Sequence, residues 1–305
     1  MKGNDLRMMI NDYYTRVPNE FIKGDDYKLT AKELTVMTIL LQNINMKNIC
    51  TFNMKCLYRE LGIADNNSYS QKEIKNIING FIQEEIIVCR DYLYEDSNLI
   101  TDVSKLSKND LIYAQLDSNF NDEAFTIITD NEIKKIKDYC NENSIDTYGL
   151  LATCLYILSC INMNKNDEDY LLCYPSIEHI AEEIDLSQKT VLKYINILNE
   201  LKILVFDYAG YRVLADNKIK NGKMFYTRYE NEELLLERLK AEREFHGFIK
   251  ISKRLKEKSN LKKSIKQKIN KLLQKDELSI LEKERLLKLE ETYKMLNTSD
   301  NNQSN

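Results

Sequence analysis

Apolar and polar positions run through the same order twice along this chain. In the later copy, Tyr174-Pro175-Ser176 opens a short helix with Ile177, Ile180 and Ile184 on one face. Ser187 then caps a longer helix that sets Val191, Tyr194, Ile195, Leu198 and Leu201 at helical spacing. An apolar, β-rich run from Ile203 to Tyr208 follows. Ala209-Gly210 then predicts a tight turn, and Tyr211 to Leu214 a return strand. In the earlier copy, Leu57, Leu61 and Ile63 mark the short helix, and Ser70-Gln71-Lys72 mirrors Ser187-Gln188-Lys189. Ile74, Ile78 and Phe81 stand where Val191, Ile195 and Leu198 stand, and Ile86 to Cys89 is the strand that follows. Ala64 to Tyr69 lengthens the first copy's turn. A long apolar helix precedes each copy, Ala31 to Ile44 with Thr30 as its cap and Ile145 to Ile161 with Ser144 as its cap.

A helix, a short helix, a turn, a longer amphipathic helix and a β-hairpin follow one another in a winged helix, whose third helix enters the major groove while the hairpin touches the backbone beside it. The predicted fold is therefore mainly α with small β-hairpins, built as two tandem winged-helix domains and a C-terminal helical hairpin or coiled coil. The boundaries are an N-terminal segment 1–15, domains at 16–116 and 117–230, a helical region at 231–296 and a disordered tail at 297–305. Leu93 to Ala124 reads as an extended wing and connector with a return strand at Leu111 to Leu116. Phe125 to Ile128 and a helix from Asn131 to Asn141 open the second domain. Asn231-Glu232-Glu233 caps a helix through Phe245 that Gly247 ends. Beyond it, Ile251, Leu255, Leu261, Ile265, Ile269 and Leu272 fall within about 120° of helical arc. Leu278, Leu281, Leu286, Leu289, Tyr293 and Leu296 form a second stripe. The two stripes bury each other in a hairpin or pair with another copy, giving a homodimer.

Composition narrows the picture. A chain of 305 residues exceeds the roughly 250 that one core usually serves. With 43% apolar and 30% charged residues, but only eight glycines and two prolines, it suits long helices joined by short turns. The seven cysteines form no C-x-x-C pair, which excludes a zinc ribbon and a disulfide framework and predicts reduced, mostly buried thiols. The first residues show no apolar signal region, so the cytoplasm is expected. The uncharged stretch Thr147 to Asn164 contains Gly149, Thr153, Ser159 and Asn162, and reads as a buried core helix and not a membrane span. The net charge of −4 hides a basic block: Lys250 to Lys275 holds eleven Lys or Arg against one acid, a net of +10, leaving −14 for the rest. Such a block marks a nucleic-acid contact or an acidic protein partner.

Tyr174 to Ile195, with its Pro-Ser start, Ile180-Ala181 pair, Ser187 cap and Thr190-Val191 step, resembles the helix-turn-helix of many bacterial winged-helix proteins. Together with the duplication, Arg16 to Phe21 (ArgValProAsnGluPhe) and the helix start at Leu29 to Leu34, the region from Arg16 to Arg228 resembles tandem winged-helix replication initiators of plasmids and phages in low-GC Gram-positive bacteria. The resemblance implies binding to origin repeats in double-stranded DNA and recruitment of host replication proteins. Transcriptional regulators share the motif, and a protein-interaction adaptor is a third reading.

On the second recognition helix, Ser187, Gln188, Lys189, Thr190 and Lys193 lie at the outward N-terminal side. There Gln can pair with adenine, and Lys can reach guanine or phosphate. Gln71, Lys72, Lys75 and Asn76 hold the matching places in the first copy. Arg212 and Arg90, on the wings, are phosphate candidates. In the basic block, Lys253, Arg254, Lys262, Lys263 and Lys266 suit nonspecific contact with DNA or a partner. Enzyme readings find no support: His179, Glu182 and Glu183 make an H-x-x-E-E whose only further histidine is His246, too little for a metal site. No P-loop is present, and nineteen tyrosines lack a matching Arg and His cluster. The chain is expected to work by binding, without metal, cofactor or catalytic residues.

Overall fold

The computed structural model describes residues 13–45, 47–93, 97–117, 120, 124–213, 219–249, 264–274, 283 and 286–294. Among them the chain is mainly helical with small antiparallel sheets. The first repeat runs β1 (Tyr14–Pro18), α1 (Asn19–Lys23), α2 (Ala31–Gln42), β2 (Ile49–Phe52), α3 (Met54–Glu60), α4 (Ser68–Gln83), β3 (Ile87–Arg90) and β4 (Ile112–Leu116). The second runs β5 (Phe125–Thr129), α5 (Asp130–Asn143), α6 (Thr147–Cys160), α7 (Ile177–Glu183), α8 (Gln188–Glu200), β6 (Leu204–Tyr208), β7 (Tyr211–Val213), β8 (Ile219–Asn221) and β9 (Met224–Arg228). Helix α9 (Glu232–His246) follows. Two compact units result: Met1–Tyr208 with Lys223–Ala241, and Ala209–Gly222 with Glu242–Asn305.

The first unit is organised around a two-fold relation between the repeats. β1 pairs antiparallel with β5, and the register from Tyr14↔Thr129 to Pro18↔Phe125 is centred on Arg16↔Ile127. Each strand leads directly into a helix. The long helices α2 and α6 then pack against each other. Both are apolar on nearly every side, as fits helices enclosed by their neighbours. In α6 every residue from Gly149 to Ser159 is buried. Thr30 and Glu33 close a capping box on α2, and Thr129 with Glu132 does the same on α5. The cap of α6 is Asp146, not Ser144; Ser144 instead ends α5 with a left-handed φ of 52°. Asp146 wins because its carboxylate accepts two first-turn N–H groups, from Tyr148 and Gly149.

Within each repeat the same devices recur. Asn53 caps α3 and Ser176 caps α7, both helices of seven residues. The turns after them pass through left-handed residues at matching places, Gly62 (φ 69°) and Asp185 (φ 52°). The third helices bury Ile74, Ile78 and Phe81 in one repeat and Val191, Ile195 and Leu198 in the other. They end alike, on left-handed Glu85 and Lys202, before buried Ile86 and Ile203.

The sheets differ from expectation in two respects. β2, which alternation did not reveal, joins β4 and β3 in a three-stranded sheet of order β2-β4-β3. Its counterpart in the second repeat is reduced to one bridge, Cys173↔Tyr226, where the first has Cys50↔Ala114 in a full strand. The return strand of the second hairpin is β9, since Tyr208 pairs with Met224. Tyr211 to Val213 is not that strand, and Leu214 lies outside the described residues: β7 pairs with β8 in the second unit, Tyr211 opposite Asn221. Ala209-Gly210 therefore does not close a hairpin between β6 and β7. Also in the second unit, Tyr211 and Ile249 exchange backbone hydrogen bonds, and Arg243 Nε donates to the Ala209 carbonyl at 2.9 Å.

The uncharged Thr147 to Asn164 stretch is the buried α6, and no helix among the described residues is long and apolar enough to cross a membrane. The seven cysteines are unpaired with one another; Cys56 is exposed and Cys160 half-buried, while the other five are buried. Burial pushes the Cys50 and Cys89 thiols up to about 12.

Candidate nucleic-acid interface

Helix α8 owes its orientation to its apolar side. Val191, Tyr194, Ile195, Ile197 and Leu198 are buried, each at most 5% exposed. Burial of such side chains stabilises by about 1.5–3 kcal/mol each. The opposite side is left to solvent: Gln188, Lys189, Leu192, Lys193, Asn196 and Glu200 are exposed. Ser187 stands just ahead of the helix, accepting the Thr190 N–H at 3.1 Å and sharing a 2.8 Å hydroxyl contact with Thr190 Oγ1. Ser187 and Thr190 thus spend their hydroxyls on the cap, while Gln188, Lys189 and Lys193 extend outward. Asn196, absent from the sequence-derived set, lies in the middle of the exposed arc. Its spacing of four from Leu192 and three from Lys193 was the available signal.

The equivalent face in the first repeat is partly covered. The long connection between β3 and β4 folds back over α4 and is fastened there by Asn79, the counterpart of Asn196. Asn79 Nδ2 donates to Asp102 Oδ1 at 2.9 Å and Ser104 Oγ at 3.3 Å, and Asn79 Oδ1 accepts the Val103 N–H at 2.8 Å. Lys75 Nζ donates to the Ser104 and Leu106 carbonyls at 3.4 and 3.3 Å. Gln71 Nε2 donates to the Ala64 and Asp65 carbonyls at 3.1 and 3.0 Å, pinning the lengthened turn. Lys72 and Asn76 remain exposed. The cap of α4 is Asn67, which adds a turn ahead of Ser70. The Ser104 N–H, then Asn79, hold the Asp102 carboxyl below the usual carboxylate range.

Arg90 and Arg212 are engaged within the fold. Arg90 Nη1 donates to Ser97 Oγ at 3.3 Å. In the second unit, Arg212 Nη1 donates to the His246 carbonyl at 3.1 Å, and its guanidinium lies 5.7 Å from the Phe248 ring centroid. Of the basic-block candidates, Lys253, Arg254, Lys262 and Lys263 lie outside the described residues. Lys266 is exposed on the helix formed by residues 264–273.

The H-x-x-E-E residues go separate ways. His179 is exposed, edge-on to Tyr156 at 6.1 Å, and Glu183 pairs with Lys28 at 2.6 Å. Among the described residues no three His, Cys, Asp or Glu side chains come together as a metal site. No protein-family model matches the chain, and no curated protein matches it.

Proposed function

We propose that this chain is a tandem winged-helix protein that binds double-stranded DNA sequence-specifically through α8, and that it serves as the replication initiator of a plasmid or phage. The observation carrying the reading is the exposed face of α8, on which Gln188, Lys189, Lys193 and Asn196 stand opposite a fully buried side. These are side chains that pair with base edges and phosphates in the major groove. A helix entering after a short helix and a left-handed turn, with a hairpin behind it, is the arrangement such proteins present to DNA.

The partly covered face of α4 gives the reading its form. With α8 fully open and Lys75 and Asn79 of α4 tied to residues 102–106, the two helices are unequal and one chain reads one asymmetric site. That suits an origin made of short direct repeats, whereas a repressor acting on a palindrome uses two equivalent helices. Host replication proteins would supply the chemistry that such an initiator lacks, and the cytoplasm is where the reaction would occur.

Selection of bound duplexes from a randomised pool tests the proposal. Replacing Gln188 or Lys189 with Ala should weaken the selected site by about 1–3 kcal/mol and random duplex by less. Equal loss on both would reduce the helix to a phosphate contact. Failure to retain any duplex at low salt would favour the adaptor reading, and selection of palindromes would favour a transcriptional regulator.

A further inference from the structure

The two-fold relation between the repeats exposes a missing element. α5 extends to Asn143, whereas its counterpart α1 ends at Lys23 after five residues. In the β1–β5 register, Ile22 is the equivalent of Ile133, and both are buried. Beyond that point the first repeat departs. A Cβ at Gly24 would sit 2.2 Å from the Glu20 side chain, and the Asp26 N–H turns back to Glu20 Oε1 at 3.3 Å. Tyr27 then swings edge-on to Phe120, with ring centroids 5.2 Å apart.

Where the last turns of an α5 equivalent would lie, a cleft remains. Its volume is about 1040 Å³, against about 60 Å³ for the corresponding space beside α5, which Ile133, Lys137 and Asn141 help to fill. All residues lining the large cleft fall between Ile22 and Leu186. Its floor is apolar, with Ile22, Ile77, Ala152 and Ile184. Its rim is acidic: two lysines stand against six carboxylates, a net of −4. Four of those carboxylates are already engaged. Glu33 and Asp146 cap helices, and Glu73 and Glu183 pair with Lys32 and Lys28, each at 2.6 Å. Glu182 and Asp185 remain, at the positions that Arg59 of α3 and Gly62 of the turn after it hold beside α5. The small space is thus built for the chain's own helix, while the large one has lost its helix and gained two acids.

We infer that the cleft receives the basic, amphipathic 250–275 segment of a second copy of this chain. The segment has the complementary chemistry, a net charge of +10 with its apolar residues along one stripe. Residues 264–273 within it are helical and expose Lys266, Lys268 and Lys271. Ten helical residues span about 15 Å, and the nine missing from the α1 side would span about 13 Å. Each copy carries one cleft and one segment, so exchange between two copies closes as a symmetric pair. The ammonium groups that would otherwise meet DNA are then shared with Glu182 and Asp185, so duplex and dimer compete for them.

The test is sedimentation velocity on the full chain over a range of concentrations and salt. The wild type should self-associate in the micromolar range, less so at high salt. Combining Glu182→Lys with Asp185→Asn, an exchange that tolerates the left-handed backbone, should raise the dissociation constant about tenfold, as loss of charge complementarity does. Lys262→Glu, Lys263→Glu and Lys266→Glu together should do the same. A mixture of the cleft variant with the tail variant should form heterodimers, because reversed cleft meets reversed tail and native meets native. A wild type that stays monomeric at high micromolar concentration overturns the inference. So does association that ignores the cleft substitutions, which would mean tail pairing with tail, or a mixture that fails to associate. Circular dichroism checks each variant's fold, and should the cleft variant misfold, Glu182→Gln with Asp185→Asn takes its place, with weaker association expected and unchanged association overturning the inference.

Discussion

The end of β9 carries a buried ion pair whose loss should be among the most damaging single changes in the chain. Arg228 Nη1 donates to Glu132 Oε1 and Nη2 to the Ile127 carbonyl, and the Arg228 and Glu132 side chains are each only 12% exposed. Glu132 is committed twice over, since its other oxygen accepts the Thr129 N–H at 2.8 Å and completes the cap of α5. In Arg228→Ala that carboxylate stays in place with its charge uncompensated and the Ile127 carbonyl loses a donor. Breaking one side of such a pair costs about 3–5 kcal/mol, a large part of the roughly 5–15 kcal/mol that holds a domain folded. Replacing both partners with Met removes the charges together and should cost only about 1–2 kcal/mol, mainly the lost cap bond. Urea denaturation of Arg228→Met, Glu132→Met and the double variant, read as a double-mutant cycle, should give a coupling energy of at least about 4 kcal/mol, because each single change strands one charge and the double strands neither. Additive effects, with each single change under about 1 kcal/mol, would show the pair to be surface-like and refute the argument.

Ile195→Ala and Leu198→Ala should each cost about 2–5 kcal/mol, because both are wholly buried in a helix packed on α6 and leave a cavity; unchanged melting temperatures would contradict that packing. Asn79→Ala should speed amide exchange at residues 102–106 and free the outer face of α4, giving the chain a second DNA contact and a steeper salt dependence; unaltered exchange would mean that other contacts hold the segment down. The ion pair with Lys28 lowers the Glu183 carboxyl, and the Ser104 N–H, then Asn79, lower that of Asp102, both from the usual carboxylate range. A folded pKa below the unfolded one adds stability that is fully present above the unfolded value and lost as pH falls through the folded one. Glu183→Gln or Asp102→Asn should therefore flatten the acid limb of a stability–pH curve, and an unchanged limb would assign it to other groups.

The repeat was legible because each copy encodes it locally. Periodicity alone placed Ile74, Ile78 and Phe81, and likewise Val191, Ile195 and Leu198, in the core, and Thr30 and Ser187 were readable as caps. What escaped depends on partners far away in the chain. β2 is four residues long and is a strand because β4, over sixty positions later, supplies its hydrogen bonds. Tyr211 to Leu214 has the composition of a return strand, yet the choice between β7 and β9 is made by register, which composition does not encode. In the site, the outward places of Gln188, Lys189 and Lys193 followed from helix geometry. The engagement of Gln71 and Lys75 did not, because the carbonyls they bind belong to an irregular loop with no periodicity to read.

Joining the two copies through β1 and β5 has a consequence for how the molecule can change over time. In a dimer of identical subunits, any substitution appears on both sides at once, and dilution can separate the partners. Here the partner is tethered, so its effective concentration stays high however dilute the protein becomes, and each half mutates alone. One half can shorten its first helix and partly cover α4 while the other keeps a long α5 and an open α8. The asymmetry between α1 and α5 is the kind of divergence that only a covalent pair can accumulate without losing its partner.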